Sequence, residues 1–252
     1  MRRGLKTLND SPKVSIIIPF YNCAYVNQAI ESALNQTYKN IETIVVDDGS
    51  SMHKELIAPY FPFIKYVYKN NGGTATALNR GIGLATGELI AWLSSDDLFF
   101  PEKIAKQVSY MKRTSADLVY TNYSLIDGNN VVFRESVGTR LRTRLAFLKH
   151  IQNSCPINGS TVMVKKEMFR KSGPFNPKLK YTQDYDMWIR MARHARIKSM
   201  DEALLYYRKH EKMGSALFSD EQLIEIDALK KRYKNELDKL ILKEQNRSII
   251  DQ

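Results

Sequence analysis

Only two of the 252 residues are cysteines, Cys23 and Cys155. They have neither the spacing of a zinc site nor the density of a disulfide-stapled secreted scaffold, so both read as reduced thiols. No apolar run approaches the roughly 18 residues that a membrane-crossing helix needs. The start, Met1-Arg2-Arg3-Gly4-Leu5-Lys6, lacks the apolar segment of a secretory leader, which predicts a cytoplasmic protein. No Gly-x-x-x-x-Gly-Lys loop occurs, which removes the P-loop kinases and ATPases. Gly81-x-Gly83-x-x-x-Gly87 has the wrong spacing for a dinucleotide fingerprint, and its glycines lie inside a helical pattern, which removes a Rossmann oxidoreductase.

The 43% hydrophobic content is enough for a sizeable core and argues against disorder. The length fits one large α/β domain or one domain with a helical appendage. The net charge of +11 is uneven. Residues 1–133 hold 13 Lys+Arg against 12 Asp+Glu, residues 134–212 hold 18 against 7, and residues 213–252 hold 7 against 8. The surplus therefore sits in 134–212, a stretch suited to a nucleoside diphosphate, a lipid phosphate, a membrane surface or nucleic acid.

Val14-Ser15-Ile16-Ile17-Ile18-Pro19 is a β-branched run expected of a strand buried on both faces. Val26, Ile30, Ala33 and Leu34 share a helical face, predicting a helix over 25–35. Ile41 to Val46 makes a second strand, giving a right-handed βαβ unit. Further strands are predicted at 64–68, 89–93 and 117–122, and helices at 74–86 and 102–112. This alternation implies a mostly parallel sheet with helices on both faces. Two strands end in paired acids, Asp47-Asp48 and Asp96-Asp97, which places four carboxylates near one rim. Ligands bind beyond the carboxyl ends of such strands. Asp also caps helices, but Pro101-Glu102 already provides a helix start after Asp97, so the second pair reads as a metal or phosphate site.

The second half is less regular. A strand or hairpin is predicted around 119–134, a basic helix at 140–151, a strand at 160–164, a short helix at 165–171 and a last strand at 203–208. Tyr181-Thr182-Gln183-Asp184-Tyr185-Asp186 brings two acids into a helix start. Residues 219–245 carry apolar side chains at helical intervals, predicting one or two amphipathic helices that pack on the domain or on a second subunit.

The order of these motifs resembles the family-2 inverting glycosyltransferases, nucleotide-sugar enzymes with a GT-A fold. The match is collinear over about 13–212. It runs from Val14-Ser15-Ile16-Ile17-Ile18-Pro19-Phe20-Tyr21-Asn22 through Asp47-Asp48-Gly49-Ser50, Leu78-Asn79-Arg80-Gly81 and Leu93-Ser94-Ser95-Asp96-Asp97. It closes with Gln183-Asp184-Tyr185-Asp186-Met187-Trp188 and Tyr206-Tyr207-Arg208-Lys209-His210. The resemblance implies an α/β fold of GT-A type, with a Rossmann-like, mostly parallel sheet flanked by helices and a C-terminal helical extension. It divides the chain into a tail (1–12), a catalytic domain (13–212, with a nucleotide-sugar half at 13–122 and an acceptor half at 123–212) and the extension (213–252).

The resemblance also implies roles. Tyr21 and Asp48 match contacts to base and ribose, with the Pro19 backbone and Asn79 beside them and Asp96 facing ribose or sugar. Asp97 matches the metal-bearing residue, for Mg²⁺ or Mn²⁺. Asp184 matches the general base, with Asp186 capping or orienting, and His210 a diphosphate or metal contact. The implied reaction moves a sugar from a nucleoside-diphosphate sugar, a UDP-sugar first, to a hydroxyl of a glycan or lipid-linked glycan. It would serve surface polysaccharide or glycoconjugate synthesis at the inner face of the membrane. The basic 134–212 region would form the acceptor side and meet a lipid diphosphate or the membrane, and the C-terminal helices would support a homo-oligomer.

Two departures stand out: Ser94 replaces the usual first acid of Asp-Ser-Asp-Asp, and Gln183 replaces the frequent Glu before the base. A nucleotidyltransferase would need a basic, glycine-rich N-terminal loop, which Pro19-Phe20-Tyr21-Asn22 is not. A nucleic-acid binder would interleave aromatics with Lys and Arg, a pattern absent here.

Overall fold

The computed structural model describes residues 8, 10–211, 213 and 219–250. Most of the expected tail (1–12), and Lys212 at the expected domain end, lie outside the described residues.

Among the described residues one nine-stranded sheet has the order β3-β2-β1-β4-β8-β6-β9-β5, with β7 paired to β6. Strand β1 (Val14–Phe20) lies parallel to β2 (Ile41–Asp47) and β4 (Leu89–Trp92), and β2 is parallel to β3 (Lys65–Tyr68). Helices α1 (Val26–Leu34), α2 (Thr74–Leu84) and α3 (Lys103–Thr114) make the crossovers, close to the predicted bounds. Alternation along β1 shows why its run is apolar throughout. Ile16, Ile18 and Phe20 join the core under α1 and α3, while Ile17 joins the core under α2, and all four are fully buried. Gly81 is required inside α2, because a Cβ there would lie 2.5 Å from Ile17 Cγ2.

The second half reverses direction twice. Strand β5 (Leu98–Phe99) is antiparallel to β9 (Ile197–Arg208), and β8 (Met163–Lys165) lies antiparallel between β4 and β6 (Leu118–Ile126). Strand β6 is parallel to β9 and makes the expected hairpin with β7 (Val132–Val137). It runs through residue 122, so the two expected halves share one sheet.

Three predicted elements change. The last strand starts at Ile197, not 203, because Asp201-Glu202 bulges out between the Thr121–Met200 and Asn122–Ala203 pairs and interrupts the apolar pattern without ending the strand. The basic helix α4 (Arg144–Ile151) starts late because the Thr143 hydroxyl accepts Ala146 N–H at 3.1 Å. Residues 159–161 form a single 3₁₀ turn, so β8 is shorter than predicted. Helices α5 (Lys166–Ser172) and α6 (Gln183–Ala192) follow.

The C-terminal extension is one helix, α7 (Ser219–Ile250), 32 residues long. It buries Leu229, Tyr233 and Leu237, which join the core that holds α4 and α6. No helix among the described residues is long and apolar enough to cross a membrane.

Candidate active site

The site is built at the carboxyl ends of β1, β2 and β4. Tyr21 follows β1 and is 55% exposed, and Pro19 lies within the strand. Asn22, at φ 49°, accepts the N–H groups of Ser51 (2.8 Å) and Met52 (2.9 Å) and so ties the turn after β1 to the turn after β2. Gly49 holds the latter at φ +80°, where a Cβ would meet Asn71 N at 2.6 Å. The two acids of that turn have different tasks. Asp47 is fully buried and accepts Ser50 N–H (2.8 Å) and the Tyr66 hydroxyl (2.6 Å). Asp48 accepts the N–H groups of Gly73 (2.8 Å) and Gly72 (3.1 Å) and pairs with Lys69, which fixes the loop that starts α2.

Asn79 has a different place from the donor contact expected of it. Its Nδ2 donates to Phe175 O and its Oδ1 accepts Phe175 N–H, both at 2.8 Å. Both ends of the amide are occupied, so Asn79 fastens α2 to the loop before α6.

The second acid pair also divides its work. Asp97 is fully buried; its Oδ1 accepts Arg208 N–H at 3.1 Å and its Oδ2 lies 2.6 Å from Ser160 Oγ. Burial, then the neighbouring Asp96 charge, pushes its carboxyl well above the usual range. Asp96 instead keeps a side chain 26% exposed, and its Oδ2 lies 3.2 Å from Nε2 of His210, itself 18% exposed. A turn closed by Asp97 N–H to Ser94 O sends the two acids opposite ways, one inward and one to the rim. The accessible acid is therefore Asp96, not Asp97.

Ser94 fits the same arrangement. Its N–H donates to Ser160 Oγ at 3.0 Å, and the two hydroxyls lie 3.0 Å apart. Ser160 has one proton and gives it to Asp97, while Ser94 donates to Ser160. An acid at position 94 would set another negative charge beside Asp97, which is already hard to ionise.

Sequence reasoning missed Arg208, which is fully buried. Its guanidinium donates to Asp96 O (2.8 Å), Asp127 O (3.1 Å), Asn130 Oδ1 (2.6 Å) and Gln28 Oε1 (2.9 Å), and it lies 4.2 Å from the Tyr25 ring centroid. One side chain thus ties three segments to the end of β9: the Asp96 turn, the turn at 127–130 and the start of α1. The available signal was a charge directly after the apolar run Leu204-Leu205-Tyr206-Tyr207. Ser160 left no comparable signal.

Asp184 arrives on the first turn of α6. This helix leads into β9, so its carboxyl end lies by the start of that strand, and its amino end lies toward the end where Arg208 meets Asp97. The preceding loop is held by α7. The Glu225 carboxylate accepts the N–H groups of Lys180 (2.9 Å), Tyr181 (3.0 Å) and Thr182 (3.0 Å), and the Thr182 hydroxyl (2.8 Å). Asp186 is buried and bonded to Arg190 Nε (2.8 Å) and the Tyr233 hydroxyl (2.7 Å), so it orients the helix. Asp184 Oδ1 accepts Tyr185 N–H at 2.7 Å, yet burial outweighs that bond and pushes its carboxyl up to about 6. Burial, with Asp184 nearby, also holds the Cys155 thiol well above its ordinary value, which leaves it inert. Two buried polar atoms beside this machinery, Trp92 Nε1 and Gln183 Oε1, have no hydrogen-bond partner among the described residues.

Among the described residues no three His, Cys, Asp or Glu side chains are grouped to hold a metal ion. Asp96 with His210 offers one oxygen and one nitrogen, which suits a cation that takes its other ligands from phosphate oxygens and water.

Six of the eighteen Lys and Arg of 134–212 lie away from this rim. Arg144, Lys165, Lys171, Arg193, Arg196 and Lys198 line a cavity beside the starts of β6 and β9, at the opposite end of the sheet.

A parallel unit with acids at its carboxyl rim, joined to an antiparallel segment that brings a further acid, has the architecture of a GT-A fold. Solved structures share this fold. S. aureus TarS in complex with UDP matches with a TM-score of 0.65 and 21% identity, over 79% of this chain and 61% of that one. The mannosyltransferase PcManGT from Pyrobaculum calidifontis, in complex with GDP-Man and Mn²⁺, matches with a TM-score of 0.65 and 18% identity, over 94% and 72%. The model for glycosyl transferase family 2 matches residues 15–173, and the chain belongs to that family. An uncharacterized glycosyltransferase of Rickettsia typhi is 41% identical over 213 residues, 82% of this chain and 67% of that protein. A relative in Rickettsia conorii is 40% identical over 217 residues, but the chain spans only 36% of its length.

Proposed function

We propose that the chain transfers a sugar from a nucleoside-diphosphate sugar to an acceptor hydroxyl, with inversion at the anomeric carbon. The observation that carries this reading is Asp184, a carboxylate raised to about 6 by burial on the first turn of α6, just after a loop that Glu225 holds by four hydrogen bonds. A base whose pKa lies just below neutral is ionised at pH 7 and still basic enough to accept a proton in the transition state. Asp184 takes the proton from the acceptor hydroxyl as that oxygen attacks the anomeric carbon from the face opposite the diphosphate. One displacement inverts the centre.

Tyr21 and Asp48, on neighbouring strand ends, fit the base and ribose of the donor. Asp96 and His210 are the residues that would hold Mg²⁺ or Mn²⁺, and the cation would offset the charge on the departing diphosphate. Asp97, Ser160 and Arg208 set the position of Asp96 from behind. Neighbours of this fold are seen with UDP, with UDP-GlcNAc and with GDP-Man, so UDP-sugars and GDP-sugars are the first donors to try. The acceptor we assign is a hydroxyl of a glycan or lipid-linked glycan in surface polysaccharide synthesis.

The test is a panel of nucleotide sugars with Mn²⁺, with the anomeric configuration of the product read by NMR. Release of nucleoside diphosphate with an inverted product supports the reading. Retention of configuration, or pyrophosphate released from a nucleoside triphosphate, removes it.

A further inference from the structure

The cavity at the far end of the sheet has a volume of about 620 Å³ and lies between the starts of β6 and β9 and the last turns of α7. Eight Lys and Arg side chains line it against three carboxylates, a formal balance of +5. Ala195, Ile197 and Leu240 supply apolar wall.

Part of this charge has a structural purpose. Helices α5 and α6 end at this rim, and cations are favourable near the carbonyl end of a helix. Arg144 serves α6 in this way, donating to Ala192 O at 2.5 Å and Ala195 O at 3.1 Å. The three carboxylates are already engaged as well. Asp117 accepts Lys165 Nζ and Arg196 N–H, each at 2.9 Å. Glu167 pairs with Lys171 at 3.4 Å, and Glu244 with Arg144 at 3.5 Å and Arg247 at 4.0 Å.

Three cations remain beyond these needs. Lys198 and Lys243 have no carboxylate within ion-pair distance among the described residues. The Arg196 guanidinium makes one long bond, to Thr114 O at 3.5 Å. Burial, then the charges of Lys171 and Arg193, holds His194 on the cavity wall below its ordinary pKa, as a net positive field requires. Cations crowded without counter-charges cost free energy unless an anion joins them.

We infer that this cavity is a second binding site, remote from the transfer site, for a phosphate-bearing anion contacted by Arg196, Lys198 and Lys243. Guanidinium and ammonium groups on converging walls suit phosphate oxygens, and the apolar wall suits a ligand with a non-polar portion next to the phosphate. The site would hold either the headgroup of an anionic lipid or a soluble phosphate compound. It does not depend on the transferase reading, since none of its residues belongs to the acidic rim.

The experiment compares the wild-type chain with Lys198→Glu/Lys243→Glu and with the milder Lys198→Gln/Lys243→Gln, all at physiological salt. One arm titrates inorganic pyrophosphate without divalent cation, by calorimetry. The other sediments the protein with phosphatidylcholine vesicles, with and without phosphatidylglycerol. Wild-type binding in either arm, weakened at least about tenfold in both variants, supports the site, and the responding arm identifies the source of the phosphate. Unchanged circular dichroism and an unchanged melting temperature show that the variants are folded. Absence of binding in both arms, or equal binding by wild type and variants, overturns it.

Discussion

The two ends of the sheet carry opposite charge and treat it differently. At the carboxyl end, Asp97 is fully buried and Asp184 half-buried, and desolvation pushes both above the ordinary carboxyl range. At the amino end, most cations are exposed and paired across a wide cavity. Helix dipoles explain the signs, since α2 and α6 begin at the first end while α5 and α6 finish at the second. They do not explain the burial. Buried acids with shifted pKa values mark a place where protons move, whereas exposed cations mark a place where an anion is held. The acidic rim and the basic cavity are thus separated by the length of the strands, and six of the eighteen Lys and Arg of 134–212 line the second end.

This contrast can be broken at either end. The largest effect is expected for Asp184→Asn, which should lower turnover by about 10²–10⁴-fold while calorimetry shows donor binding nearly unchanged. Next comes the exchange of roles between the paired acids. Asp96→Asn should remove Mn²⁺-dependent donor binding, whereas Asp97→Asn, which keeps the acceptor for Arg208 N–H, should weaken it far less. Equal losses would restore Asp97 as a cation ligand.

Glu225→Ala should leave four donors without their carboxylate, cost about 1–3 kcal/mol in chemical denaturation, and lower kcat more than it raises KM. Stability should also report the buried acid directly. A folded pKa near 6 against the ordinary 3.8 means that the native chain binds the proton more tightly, so this group's stabilisation is present at low pH and is lost as pH rises through 6. Asp184→Asn should therefore melt above wild type at pH 8, and the gap should close toward pH 4. The smallest effect is expected at the far end, where Lys198→Gln/Lys243→Gln should leave donor hydrolysis unaltered.

The parallel half of the fold was legible because β1, β2 and β4 are largely buried on both faces and each crossover helix has its own period. Ile16, Ile17 and Ile18 could only be buried together. The antiparallel half was harder, since β9 hides a bulge of two charged residues and β8 is three residues long. Site residues at strand ends were visible as acids after apolar runs, but sequence adjacency cannot say which of two acids turns inward. That choice depends on Ser160 and Arg208, which lie 63 and 111 residues from Asp97. The support of Asp184 by Glu225 likewise depends on where α7 docks, which helical periodicity does not specify.

The account rests most directly on the ionisation of Asp184. The decisive measurement is kcat/KM against pH for wild type and Asp184→Asn, because this ratio reports groups of the free enzyme. The wild type should lose rate tenfold per pH unit below about 6, and the variant should be slow with that limb abolished. A variant that keeps both the wild-type rate and its acid limb would contradict the assignment of Asp184 as the base.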